Sequence, residues 1–407
     1  MTDIPRQLDV LIAGAGPAGS TTAALLAGAG FSVLAIDRAR FPRDKPCAEY
    51  MSPEAVRILN RLGVVERLEE AGAVALEGMR VTACRGATAH GLFARARHRP
   101  FRPTGLSVSR WTLDHLLVEA ARAAGAQILE HAALEEVLYA DGGIGGAVIR
   151  DGAGRRHSIH ARLTVGADGL RSIVARRMGR RTHSTPRRIA FVTHVDGVQQ
   201  MSSSAELHFG RTGYVGLNQI AAGRTNVAVL VPAARATLAR SRVHDFFFEA
   251  LGEFAGVRER VEAGTIVKPI MVTGPFAARS RPVTVRGGLL VGDAADFYDP
   301  VTGDGIYSAL RGAELVAESM IPGLAGPEPV SAEYFRTYRR LRRQAFAAKW
   351  MMERITRGLM HFPRLFDRTV ERLGRSDDMA HTAVGVAGGF VPLRAMLSPG
   401  FIARVVF

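Results

Sequence analysis

Six residues near the start of the chain, Gly14-Ala15-Gly16-Pro17-Ala18-Gly19, have the spacing G-x-G-x-x-G, whose chemistry is the binding of a pyrophosphate. The first glycine allows a tight turn, Gly16 lets the backbone approach the phosphates, and Gly19 lets the next helix pack closely on its sheet, so that the helix N-terminus faces the anion. A carboxylate is expected further on to accept from ribose hydroxyls, and Asp37 stands at the end of the next apolar run. A second group begins at Gly292-Asp293-Ala294-Ala295 and continues through Asp299-Pro300-Val301-Thr302-Gly303-Asp304-Gly305-Ile306. An aspartate at the end of an apolar strand lies where ligands of open α/β sheets bind. Gly303 and Gly305, at a helix start, can offer bare backbone N–H groups to a ligand oxygen that gains negative charge.

These groups need particular elements to hold them. Asp9 to Ala13 reads as a short buried strand, Ser20 to Gly28 as an Ala/Leu-rich helix, and Ser32 to Asp37 as a second strand, the order that gives the glycine spacing its force. Ser52-Pro53-Glu54 starts another helix, with serine as its cap. Ser109 caps an amphipathic helix whose Leu113, Leu116, Leu117, Ala120, Ala121 and Ala124 share a face and which stops at Gly125. Gln127 to Asp168 reads as a β-meander, and Ile189 to Val272 as β-rich apart from a helical piece near Arg242 to Arg260. Gly287 to Val291 is a buried strand, about Gly305 to Met320 a long helix, and Ser331 to Phe407 mostly helical.

With Gly166-Ala167-Asp168-Gly169 and Ser172 as a third motif, the chain resembles the flavoprotein superfamily of aromatic-ring hydroxylases (class A flavoprotein monooxygenases) and geranylgeranyl reductases, over about Asp9 to Met320. The resemblance implies FAD as cofactor. It implies contacts at Gly14, Gly16, Pro17, Ala18 and Gly19, at Asp37 and Arg38 on the adenosine side, and at Arg110 on the phosphates. Asp168 would brace the cofactor loops, Asp293 would bind the ribityl or pyrophosphate region, and Pro300, Gly303, Gly305 and Ile306 would meet the flavin. Cys47 would lie near the flavin, where its thiol either assists the chemistry or is inert packing.

Within the superfamily, Lys45-Pro46-Cys47-Ala48-Glu49 and Gly292 to Glu318 resemble the geranylgeranyl reductases most closely. The aromatic Tyr-x-Trp-x-Phe-Pro segment of those reductases is missing, and the corresponding stretch reads Gly213-Tyr214-Val215-Gly216-Leu217-Asn218. The lysine-bearing and Trp-x-Trp-x-Ile-Pro motifs of flavin halogenases are absent as well, which ranks halogenation last.

Composition narrows the rest. The 407 residues are 47% apolar and 22% charged, enough to bury real cores. Two cysteines, Cys47 and Cys84, make no disulfide framework, and no signal peptide is recognisable, so a cytoplasmic protein is expected. The formal charge of +15 raises nucleic acid or an anionic membrane as partners. Only Lys45, Lys268 and Lys349 are lysines, and an arginine bias in an Ala- and Gly-rich chain reads as codon composition. No aromatic stacking platform accompanies the arginines, so no nucleic-acid partner is expected.

The expected fold is α/β, a Rossmann-like FAD-binding domain (1–75, 106–182 and 281–325) with an inserted β-sheet substrate domain (76–105 and 183–280) and a helical C-terminal region (326–407). The expected function is an NAD(P)H-dependent monooxygenase of secondary-metabolism type. It would hydroxylate an apolar aromatic or quinonoid small molecule in a dry cavity, with the hard step left to the cofactor. The alternative is a flavoenzyme reducing isoprenoid or quinone double bonds. With one dinucleotide fingerprint, NAD(P)H visits transiently or a partner supplies electrons. The apolar tail from Val384 to Phe407, rich in Phe, Val, Leu and Met, either closes the core or caps a pocket for a lipophilic substrate; in the second case, with the arginines of 336–343, it touches a membrane peripherally.

Overall fold

A computed structural model describes residues 4–406, apart from 184–186, 240–241, 255 and 328. Phe407 of the tail lies outside the described residues. The first layer is a sheet whose five parallel strands run in the spatial order Gly288–Leu290, Arg156–Gly166, Gln7–Ala13, Val33–Ile36, Gln127–Leu129. Register decides what this sheet can do. Ala13 is level with both Ile36 and Gly166, and Gly166 is level with Leu290, so the glycine turn, Asp37, Asp168 and Asp293 all emerge from one edge. The expected meander is only partly realised. Gln127–Leu129 joins the parallel sheet, whereas Ala133–Ala140 and Gly143–Arg150 form an antiparallel hairpin on the first half of Arg156–Gly166. A short strand with one parallel neighbour carries no alternation to distinguish it from a meander strand.

The helix Pro17–Ala27 is small-residue and almost wholly buried, lying on the sheet between the helices Arg110–Ala123 and Gly305–Leu324. Gly19 makes that closeness possible, since a Cβ there would stand 1.7 Å from the Gly14 carbonyl oxygen.

The second layer is an eight-stranded sheet. Its main path is Thr265–Ile266, Arg188–Asp196, Arg224–Pro232, Tyr214–Ala221, Ser204–Phe209, Gly78–Thr82, Thr88–Leu92, antiparallel except between the fifth and sixth. Alternate residues divide its faces. Phe191, Val195, Val215, Leu217, Val227 and Val229 pack under the helices Val243–Leu251 and Val257–Glu262, while Ala190, Val192, Tyr214, Gly216, Ala228 and Leu230 look the other way into a cavity.

The expected boundaries at 75/76, 105/106, 182/183 and 280/281 fall within or at the edges of strands. Val74–Leu76 pairs with Gly105–Ser107, and Arg180–His183 pairs with Ala278–Arg281. The chain crosses between the two sheets on paired strands, which leave none of the Pro/Gly/Ser composition that marks a linker.

The C-terminal helices Ala332–Met360, Pro363–Gly374, Asp377–Ala387 and Pro399–Val406 close over both layers. Val384 packs with Tyr50, Met79 and Phe93, and Phe366 meets Phe209 edge-on at 4.7 Å. The first part of the tail is therefore core, with Val386, Val391 and Phe401 also buried, while Leu397 and Ile402 are exposed. One arginine offered for a membrane faces inward instead, while Arg336, Arg339, Arg340 and Arg343 are exposed. Arg342 is buried against Asp296 at 2.7 Å, and Arg339 donates to Thr284 at 2.5 Å. A helix turns every third or fourth residue toward the core, so a run of arginines is necessarily divided between faces. No helix among the described residues is long and apolar enough to cross a membrane.

Candidate functional site

Asp37 ends its strand with Oδ2 accepting from Ala15 N–H and Oδ1 from Ala39 N–H, both at 2.9 Å, which ties the glycine turn to the second strand. Arg38, beside it, is exposed. Gly14 has φ +96°, and a Cβ there would press on Ala167 and Asp168. At Gly16 the situation is the opposite, because a Cβ would meet only the ends of two side chains, Arg43 at 3.4 Å and Arg110 at 3.9 Å. Two guanidiniums thus stand before the helix N-terminus.

Their position is fixed by Asp114, which is fully buried one helical turn after Arg110. It accepts from Arg110 Nε at 2.6 Å and Nη2 at 2.7 Å, and pairs with Arg43 at 2.9 Å. Lys45 adds a third cation close to Gly169; burial and the nearby Arg110 push its ammonium below the ordinary lysine range, against the pull of Asp293. Asp168 does not face the cavity. Its Oδ2 accepts from the N–H groups of Ile173 and Val174, bracing the turn after Gly166, and burial raises its carboxyl.

Gly16, Pro17, Ala18, Cys47, Arg110, Asp293, Pro300, Gly303, Gly305 and Ile306 all line one cavity. Gly14, Gly19, Asp37, Arg38 and Asp168 lie outside its lining. The cavity extends from the parallel-sheet edge to the small-residue face of the second sheet, where Met79, Leu207, Leu230 and Phe276 make it largely apolar. Burial pushes the Cys47 thiol upward, so the group in the wall is a neutral thiol. Asp299 caps the turn Pro300–Thr302 and receives the Tyr214 hydroxyl at 2.5 Å and the buried guanidinium of Arg188, locking the loop before the helix Gly305–Leu324 to the second sheet.

Glu49 performs the same coupling on the opposite wall. It is buried in a left-handed conformation (φ +59°), accepts from Arg110 N–H at 2.8 Å through Oε1, and lies 2.8 Å from His194 Nε2 through Oε2. Sequence reasoning missed Arg43 and Lys45 as phosphate-side cations and Glu49, Tyr214 and Asp299 as couplers. The basic loop Arg43-Asp44-Lys45 following the second strand was the available signal for the first two. The couplers stand in stretches quoted above, but their partners are distant in sequence, so their pairing leaves no local signal.

The cradle suits an anionic dinucleotide. A bare glycine turn at a helix N-terminus lies beside two arginines and a lysine that line the same site. Gly16, Arg43, Lys45 and Arg110 would hold the pyrophosphate, and Gly303 to Ile306 the flavin ring, which supplies two-electron chemistry when bound. Fold and site define an FAD-dependent oxidoreductase. The chain belongs to the FAD binding domain family, whose sequence profile matches residues 7–353. It is 28% identical over 400 residues to a menaquinone reductase of Mycolicibacterium smegmatis, covering 94% of this chain and 92% of that protein. It is 28% identical over 318 residues to a digeranylgeranylglycerophospholipid reductase of Methanosarcina acetivorans, covering 76% and 74%. Among solved structures, the flavin-dependent brominase Bmp2 superposes with a TM-score of 0.84 at 20% identity over 98% of each chain, a likeness of fold.

Proposed function

We propose that the protein uses FAD to reduce a carbon–carbon double bond in a lipophilic isoprenoid or quinonoid substrate, with NAD(P)H or a partner as electron source. The observation that carries this reading is the cavity, which joins the glycines Gly303 and Gly305 to a largely apolar face of the second sheet. The similarity over nearly the whole chain to a menaquinone reductase supports it. Hydroxylation of an aromatic or quinonoid ring is the second reading, favoured by the cavity's apolar lining, since oxygen activation on a reduced flavin needs a dry site. Anaerobic and aerobic turnovers of FAD-loaded protein with NAD(P)H and a panel of prenyl quinones, prenyl lipids and phenols separate the two. The reductive reading expects product with two added hydrogens whether or not oxygen is present; product carrying one added oxygen, formed only in air, establishes the second.

The substrate class suggests how it is collected. Met351, Ile355, Phe362, Leu365, Leu397 and Ile402 are exposed on the C-terminal helices, alongside the exposed Arg364, Arg394 and Arg404. We infer that this surface touches anionic lipid from the cytoplasm.

A further inference from the structure

Asn218 lines the cavity and is 4% exposed. It shares a face of the strand Tyr214–Ala221 with Tyr214 and Gly216 and lies level with Asn226 on the next strand. Its amide nitrogen donates to Ser107 Oγ at 2.6 Å, and Ser107 Oγ donates in turn to the Glu49 carbonyl oxygen at 2.8 Å. The second bond fixes the direction of the first. A carbonyl oxygen can only accept, so the one Ser107 hydroxyl proton is committed to Glu49 and the hydroxyl must accept from Asn218. The amide therefore cannot be turned end for end: its nitrogen faces Ser107 and its oxygen faces away. Asn218 Oδ1 has no hydrogen-bond partner among the described residues, yet it remains accessible, unlike Asn226 Oδ1 on the neighbouring strand, which is sealed. The space that Asn218 borders is the cavity.

We propose that Asn218 Oδ1 is a specificity contact for a ring hydroxyl, so that the cavity takes its lipophilic substrate as a phenol or hydroquinone and rejects the corresponding ether or quinone. This deepens the reductive reading and rests on its assignment of the cavity to the substrate. An oxygen that can only accept requires an O–H opposite it, whereas ether and quinone oxygens are acceptors themselves and leave it unpaired. An unpaired acceptor in a dry wall is costly, so the selectivity lies as much in the ligand refused as in the ligand held.

The neighbouring wall offers no substitute. Ala190, Val192, Gly216 and Leu230 carry no polar side-chain atom, and Tyr214 gives its hydroxyl proton to Asp299. Glu206 is held by His208 and Arg260. Thr273 is level with Ala190, four residues along from His194, which is level with Asn226. At about 3.3 Å per residue it stands roughly 13 Å along the sheet from Asn218.

The test uses full-length protein loaded with oxidised FAD and titrated anaerobically with four probes: a geranylated phenol, its methyl ether, the geranylated hydroquinone and the matching quinone. Changes in flavin absorbance report affinity. Wild type should bind the phenol and the hydroquinone roughly tenfold or more tighter than the ether and the quinone, the difference that one hydrogen bond makes. The tighter of the two hydroxyl ligands names the ring. Asn218→Leu keeps the bulk and removes the acceptor, so the preference for phenol over ether should fall to about one; read within one protein, this ratio is insensitive to a general loss of affinity. Equal wild-type affinity for phenol and ether, a failure of all four probes to bind, or an unchanged ratio in Asn218→Leu overturns the proposal. So does a folded Asn218→Leu protein that purifies without FAD, which would assign the oxygen to the flavin. Hydroxyl selectivity without saturated product from any prenyl probe defeats the reductive reading alone, and saturated product without selectivity defeats this assignment alone.

Discussion

Arg110 and Asp114 form a two-point ion pair, at 2.6 and 2.7 Å, inside one turn of the helix Arg110–Ala123, and the carboxylate is wholly buried. Arg43 draws on the same carboxylate. Asp114→Asn leaves a buried guanidinium without its counter-charge. The apo protein should lose about 3–5 kcal/mol, the range for breaking a buried pair from one side. FAD affinity should fall by roughly tenfold or more, the worth of one charge-assisted hydrogen bond, as the arginines lose their fixed positions. Chemical denaturation and flavin-fluorescence titration measure the two effects, and an unchanged FAD affinity would show that Asp114 serves folding alone.

The two glycines of the turn should fail differently. At Gly19 a Cβ would collide with backbone at 1.7 Å, whereas at Gly16 it would meet the movable ends of Arg43 and Arg110. Gly19→Ala should lower the yield of folded protein. Gly16→Val should fold with wild-type circular dichroism yet purify with less FAD, because its side chain occupies the phosphate approach. Flavin absorbance per chain after purification reads the difference.

Glu353 supplies a pH dependence with a definite sign. Burial pushes its carboxyl up to about 8 from the ordinary value of 4.5. Between these values the native state binds more protons than the unfolded one, so this group's contribution to stability is retained below the unfolded value and lost as pH rises through the folded one. Glu353→Gln should remove that part of the slope, and its Tm relative to wild type should rise steadily from about pH 5 to about pH 9. A constant Tm difference across that range would place the group's folded pKa near the ordinary carboxylate value.

The tail gives a paired expectation. Truncation before Val384 strips Val384, Val391 and Phe401 from buried positions, and Val384 alone touches the cluster around Tyr50. The truncated chain should lose cooperative unfolding. Replacing Phe362, Leu365 and Ile402 with serine removes only exposed surface, so it should leave Tm within a few degrees while abolishing retention by anionic liposomes at low salt. Full retention by the triple variant would show that these residues are not the lipid contact.

The cofactor half of the site was legible because its constraints are local. Gly14, Gly16 and Gly19 are read from spacing, and Ser52 and Ser109 announce helices that the structure caps with those same hydroxyls. Asp37 follows from strand length. The substrate half was not legible, since its walls come from alternate residues of distant strands, and Asp299 meets Tyr214 and Arg188 only after the second sheet has formed. Asp304 stood in a quoted motif, yet its burial depends on a helix that begins at Ala332. Arg342 shows the reverse case, since helical rotation turns it inward from a charge run whose other arginines stay exposed.

The two-sided strands of the second sheet carry one more implication, for redesign and for divergence. Letters that set the shape of the cavity and letters that bind the sheet to its helices are interleaved along the same strands without overlapping. Ala190, Ala205, Gly216 and Ala228 can each be enlarged to recut the chamber while Phe191, Val215, Val227 and Val229 continue to anchor the reverse face. A scaffold arranged in this way can explore new guests by altering every second position and keep its own foundations untouched.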